Sequence, residues 1–252
     1  MYSFSVKFLI AVVLLSFQSF FLGAQIYTHR IEAGIDAGAF IYTGDLTPSD
    51  IGAYVSAKPQ FGFHAAYILN RSFSVRASFS FGSLNGDDAK YTSPAYRRER
   101  NFNFTTPVSE FSGMVIWDIL KKNAVEQRRG FAPYIFAGAG ISLLHIQRDY
   151  SRYNAAYFTT EISGPDLATD IAHRLPASLP VIPVGAGLKY YISSKIAVQA
   201  ETNYRLMSSD YLDGFSHAAN PAKKDNYYSI SLGVVFALGY KDRNDCPVVR
   251  GR

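Results

Sequence analysis

Four carboxylates and two guanidiniums fall at the polar positions of segments that otherwise alternate with apolar residues: Glu32, Asp36, Glu110 and Glu201, with Arg76 and Arg205. Charges of both signs confined to one interior must pair, because an unmatched buried charge costs several kcal/mol. Arg76 and Arg205 are therefore expected at the centre of an ion-pair network with Glu32, Asp36, Glu110 or Glu201, and His64 and Gln199 share the same face. A proton or ion path is the alternative use of such a set; a plug of salt bridges is the reading adopted. A second basic group, Lys121, Lys122, Arg128 and Arg129, surrounds only Glu126 in one connection. It suits either the docking of an acidic protein or contact with anionic headgroups.

Signals for catalysis and metal binding are absent. The five histidines, His29, His64, His145, His173 and His217, show no ligand spacing and no pairing with a nucleophile. A lipid hydrolase built around His145 would need spatial convergence that the sequence does not announce. Asp210 and Asp213 depart from a calcium-loop pattern and read as turn-capping residues. No phosphate-binding glycine loop and no nucleic-acid-binding stripe is present. No catalytic residue, cofactor or metal is assigned, and no nucleic-acid partner is expected.

The elements that must position these charges are strands. In Phe73–Gly82 every odd position suits lipid and every even one is polar or small. Successive strand side chains point to opposite faces, so this pattern needs apolar surroundings outside and a polar interior. Seven further segments repeat it, at about 30–42, 60–69, 105–118, 132–146, 180–192, 195–207 and 226–240. Each reaches the roughly 9–11 tilted residues that cross a bilayer. The fold predicted is all-β, an eight-stranded antiparallel transmembrane barrel. Its interior is just wide enough to be filled by side chains, so it should not conduct. Inward glycines such as Gly34, Gly38 and Gly233 would make room for larger partners.

Connections alternate long (43–59, 83–104, 147–179, 208–225) and short (70–72, 193–194), with 119–131 intermediate. Outer-membrane barrels carry short periplasmic turns and long external loops. The long loops are thus expected outside and both termini in the periplasm, with residues 25–240 forming the barrel and 241–252 a periplasmic tail. Residues 1–24 read as a secretory signal: Lys7, an apolar run from Phe8, then Gly23 and Ala24 before the cut. The remainder carries 24 basic against 20 acidic side chains, a mild excess that gives no nucleic-acid signature. Cys246, the sole cysteine, cannot form an internal disulfide; it is either a free thiol, the reading adopted, or a partner for a cysteine of another chain.

Ser231, Gly233, Phe236 and Leu238 resemble the last-strand signal read by the barrel assembly machinery, an expected partner during insertion alongside outer-membrane lipid. Four local sequences carry a wider resemblance: Gly38–Leu46 with its Tyr-x-Gly-Asp-Leu, Phe131–Gly140, Pro183–Tyr190, and Glu201–Arg205 followed by Ser209–Asp213. They resemble the PorG-like outer-membrane barrel family, which includes a component of the type IX secretion system. That resemblance spans nearly the whole chain after the signal. It implies a noncatalytic barrel that anchors the periplasmic PorK/PorN ring to the outer membrane. The rival readings are a generic structural or surface-binding barrel, favoured by the long loops, and a lipid-modifying enzyme.

Overall fold

A computed structural model describes residues 31–47, 52, 54–123, 130–158, 164–219 and 224–238. The proposed signal, the tail after 240, His29, Cys246, Arg128 and Arg129 lie outside them. Nine strands form among the described residues: β1 (Ile31–Thr43), β2 (Lys58–Ile68), β3 (Phe73–Asp87), β4 (Asn103–Asp118), β5 (Gly130–Leu144), β6 (Gln147–Asp149), β7 (Ser178–Tyr191), β8 (Ile196–Met207) and β9 (Asn226–Leu238). The eight long ones pair antiparallel with their neighbours in the order β3-β2-β1-β9-β8-β7-β5-β4, and β4 pairs back to β3. The sheet therefore closes into an eight-stranded barrel with no open edge. The short β6 adds three residues against the start of β4, where Asn103 faces Asp149.

The alternation in the sequence is the alternation in space. Along β2 the inward Gln60, His64, Ala66 and Ile68 are buried, while Phe61, Phe63, Ala65 and Tyr67 face out. Ile230, Leu232, Phe236 and Leu238 of β9 are likewise exposed, Leu232 by 69%. An outer surface this apolar could not stay in water. It is the surface of a barrel whose solvent is lipid, where closed strand pairing satisfies backbone groups internally.

Aromatic side chains mark the two ends of that surface. At the short-turn end, Tyr67, Phe73, Trp117, Phe131, Tyr190 and Phe236 are exposed by 42–57% and come from six different strands. Register sets Phe73 opposite Trp117 and Phe131 opposite Tyr190. At the other end Tyr228 lies against Tyr54 and Tyr204. From Tyr228 to Phe236, eight residues at ~3.3 Å each and a tilt of ~40° give an apolar height of roughly 20 Å. Interfacial aromatics at such a spacing suit the two headgroup levels of a membrane.

Turn chemistry explains the short connections. Asn70 Oδ1 accepts from the backbone N–H of Ser72 and Phe73, each at 2.8 Å. Ser193 Oγ accepts from Lys195 and Ile196 at 3.2 and 3.1 Å. Both side chains replace a missing backbone partner and reverse the chain within a few residues. The longer connections differ from the sequence expectation. β3 runs on to Asp87 and β4 begins at Asn103, so the loop between them is shorter than 83–104 and contains a five-residue helix, α1 (Tyr96–Arg100). The connection before β7 contains a nine-residue helix, α2 (Gly164–Ala172).

Candidate functional site: a lumen filled in two layers

The lumen beneath the mouth holds discrete ion pairs, with Arg205–Glu110 lying directly against Phe40 and Tyr227 of the apolar layer. Arg76 Nη1 donates to Glu201 Oε2 at 2.6 Å, and the Tyr134 hydroxyl donates to the same oxygen at 2.6 Å. Arg205 Nε donates to Glu110 Oε2 at 2.9 Å, which also accepts from the Tyr227 hydroxyl at 2.8 Å. A second nitrogen of Arg205 donates to Ser229 Oγ at 2.6 Å. The guanidiniums also sit over rings, Arg76 over Tyr134 at 5.5 Å and Arg205 over Phe40 at 5.0 Å. Cation–π contact adds attraction where water is excluded.

The sequence put Arg76 and Arg205 at the hub of one network, and the structure places them on separate carboxylates. Glu32 joins neither: its Oε2 accepts from Lys189 Nζ at 2.6 Å. Asp36 accepts from Gln60 Nε2 at 3.1 Å and lies 3.7 Å from His64 Nδ1. Lys189 was missed, although the outward Leu188 and Tyr190 on either side already required it to point inward. Tyr134 and Tyr227 were missed as lumen donors for a different reason, since an aromatic ring reads as lipid-facing when only polarity is scored. His64 fits because Gly34 opposes it; a Cβ on Gly34 would collide with the imidazole.

The upper lumen corrects the expectation of a polar interior throughout. Phe40, Tyr42, Leu84, Phe104, Val108, Val181 and Tyr227 point inward there, and Leu46, Phe102, Leu212, Phe215 and Ala218 from the loops pack onto them as one buried core. Phe102 and Phe215 stack with ring centroids 4.2 Å apart and planes 6° from parallel. The long loops thus fold back over the mouth as a cap instead of standing free.

Buried polar ties hold this cap. Arg97 and Arg100, three apart on α1 and so on one helical face, converge on Asp88. Arg97 Nη1 donates to it at 2.8 Å and Arg100 Nε at 2.7 Å. Both guanidiniums also reach the Asp45 carbonyl. Asp170 of α2 accepts from the backbone N–H of Ser216, His217 and Ala218 at 2.8–3.1 Å. Arg148 donates to the Gly214 carbonyl at 2.7 Å. Between mouth and cap, the Tyr42 hydroxyl lies 2.8 Å from Asp213 Oδ2 and also contacts Asp225 Oδ1. Gly44 has to be glycine here, because a Cβ would strike the Tyr42 hydroxyl and the Asp225 carboxylate.

Asp210 and Asp213 do not converge on a common point as calcium ligands would. Asp210 accepts from Ser216 Oγ at 2.6 Å, whereas Asp213 faces Tyr42. His145, His173 and His217 are exposed, and His173 stacks on Tyr211. Of the basic rim group, Lys121 is exposed at the short-turn end with φ of 57°. Lys122 donates from Nζ to the Phe131 carbonyl at 2.7 Å, and its backbone N–H caps onto Asp118 at 3.2 Å.

Residues 6–241 match the family model described as a domain of unknown function, DUF6089. The chain belongs to the DUF6089 family. No curated protein sequence matches this DUF6089 barrel. Among solved structures it is similar to Ail, the attachment invasion locus protein of Yersinia pestis, in complex with the heparin analogue sucrose octasulfate. The identity is 13%, the TM-score 0.44, and the match covers 83% of this chain and 99% of that one. Neisserial surface protein A matches at 14% identity and TM-score 0.43, over 82% of this chain and 97% of its own. The outer membrane protein OprG from Pseudomonas aeruginosa matches at 11% identity and TM-score 0.39, over 83% and 98%.

Proposed function

We propose that this DUF6089 protein is a noncatalytic, integral outer-membrane barrel that presents a basic face to the periplasm and anchors the periplasmic ring of the type IX secretion system there. The observation that carries this reading is the doubly filled lumen, ion-paired below and apolar above. A barrel with no through-path works by what its rims and surface hold. The resemblance of Gly38–Leu46 and Ser209–Asp213 to PorG-like barrels supports the ring as partner, and the exposed Lys121 at the short-turn rim supports a basic surface that docks an acidic partner.

The proposed orientation follows from loop length: short turns and both termini in the periplasm, capped loops outside. Lys121, Lys122, Arg128 and Arg129 would form the docking group, with outer-membrane lipid around the aromatic belts and the barrel assembly machinery acting during insertion. Reversing all four charges is the test, read by co-purification from cross-linked envelopes. Ring proteins should be recovered with the native barrel and lost with the variant, and export of type IX cargo should fall. Normal ring recovery and normal export from the variant would reject the docking surface. Normal export after deletion of the whole barrel would leave a generic surface-binding barrel as the better reading.

A further inference from the structure

The contacts of Tyr42 do not balance with one proton. Its hydroxyl oxygen accepts from the Asp45 backbone N–H at 3.1 Å and touches two carboxylate oxygens, Asp213 Oδ2 at 2.8 Å and Asp225 Oδ1. A phenol has one hydrogen to donate. The second phenol–carboxylate contact is then oxygen against oxygen with nothing between them, in a place where both carboxylates are fully buried. Two bare acceptors at that distance repel, and a buried, uncompensated charge costs several kcal/mol.

We propose that Asp213 carries a proton, which it donates to the Tyr42 oxygen while Tyr42 donates to an ionised Asp225, and that this proton latches the cap onto the barrel mouth. The backbone places it on Asp213. Asp225 Oδ2 already accepts from the N–H of Leu212 and Asp213 at 3.1 and 3.4 Å, which stabilises its charge. Asp213 accepts from a single N–H, that of Phe215 at 2.8 Å.

Among the described residues no cation bonds to Asp213 or Asp225, although the charge of Arg100 is felt at Asp213. Asp45 and Asp210 add negative charge. Arg97 and Arg100 of α1 are turned onto Asp88 and the Asp45 carbonyl, and Arg148 onto the carbonyls of Gly214 and Ile171. Lys224 is exposed, as is His217. Burial and the neighbouring carboxylates raise the pair well above the ordinary carboxyl range, and the two N–H donors on Asp225 leave the pair's one proton on Asp213.

The sign of the pH dependence follows. A carboxyl whose folded value is raised contributes its full stabilisation below the unfolded value, near pH 4. That stabilisation is lost as pH rises through the raised folded value. Opening of the cap should therefore release one proton and become easier with rising pH. Residues 208–219 would lift away and uncover Phe102 and the aromatic mouth beneath.

The test uses the full-length protein in detergent micelles. The infrared spectrum at neutral pH should show a protonated carboxyl C=O stretch that disappears in Asp213→Asn. Proteolytic cleavage within 208–219, corrected against an unstructured peptide, should rise about tenfold per pH unit through the titration, the linkage slope for one proton. In Asp213→Asn, whose amide donates permanently, the slope should be flat. Three results would overturn the proposal: no protonated carboxyl at neutral pH, an unchanged slope in the asparagine variant, or protection that depends on added calcium, which would mean that a cation holds the carboxylates together.

Discussion

The two halves of this lumen solve one problem in opposite ways. In one, from Lys189 up to Arg205 just beneath the mouth, Arg76, Arg205 and Lys189 each meet one carboxylate, so polar strand residues are buried in pairs and each of these partners lies on another strand of the barrel. Above, Phe40, Phe104 and Tyr227 turn inward and are covered by Phe102, Leu212 and Phe215 from the loops, so apolar strand residues are buried by segments that are not strands at all. The lower layer is closed by charge matching within a rigid frame. The upper layer is closed by loops packed over the mouth, and it is where the proposed proton latch acts.

The largest effects should come from breaking one member of a lower pair. Arg205→Leu leaves Glu110 buried without its cation and should destabilise the barrel by about 3–5 kcal/mol, read as a lower midpoint in urea titration from lipid vesicles. Replacing Arg76 and Glu201 together by methionine removes both charges and should cost far less than either single change. A double-mutant cycle with the same readout checks this, and additive losses would show that Arg76 and Glu201 do not work as a pair.

Phe215→Ala should cost a similar ~3–5 kcal/mol, but in the cap alone: protease sensitivity within 208–219 should rise while the heat-modifiable gel shift of the barrel persists. Loss of that shift as well would mean that cap and barrel are one cooperative unit, and the contrast between the halves would be thermodynamically empty. The smallest effect is expected at the rim. Lys121→Glu with Lys122→Glu should change stability by less than about 1 kcal/mol, because one cation is exposed and the other bonds to a carbonyl at the exposed rim. Its effect on partner binding should weaken as salt is added.

The same contrast explains what the sequence could and could not tell. Strand existence, closure and the inward placement of Glu32, Asp36, Arg76, Glu110, Glu201 and Arg205 all follow from a two-residue period, a local property. Lys189 was legible by the same rule and was overlooked because charge near a strand end reads as rim. Which carboxylate meets which cation was not legible, since Arg76 and Glu201 are 125 residues apart and meet only through the barrel's shear. The cap was hidden more deeply. Phe102 and Phe215 lie in segments that read as loops, and no periodicity announces that two loops will stack their rings across a barrel mouth. Arg97 and Arg100 carried one usable hint, helical spacing inside a supposedly free loop, with Asp88 close before them in the chain.

The claim on which the account depends is that both layers fill the barrel, so nothing passes through it. Planar-bilayer recording of the purified full-length protein tests this directly. Insertion without steady conductance is the expected result. A stable open channel, with uniform single-channel steps attributable to the folded barrel, would contradict it.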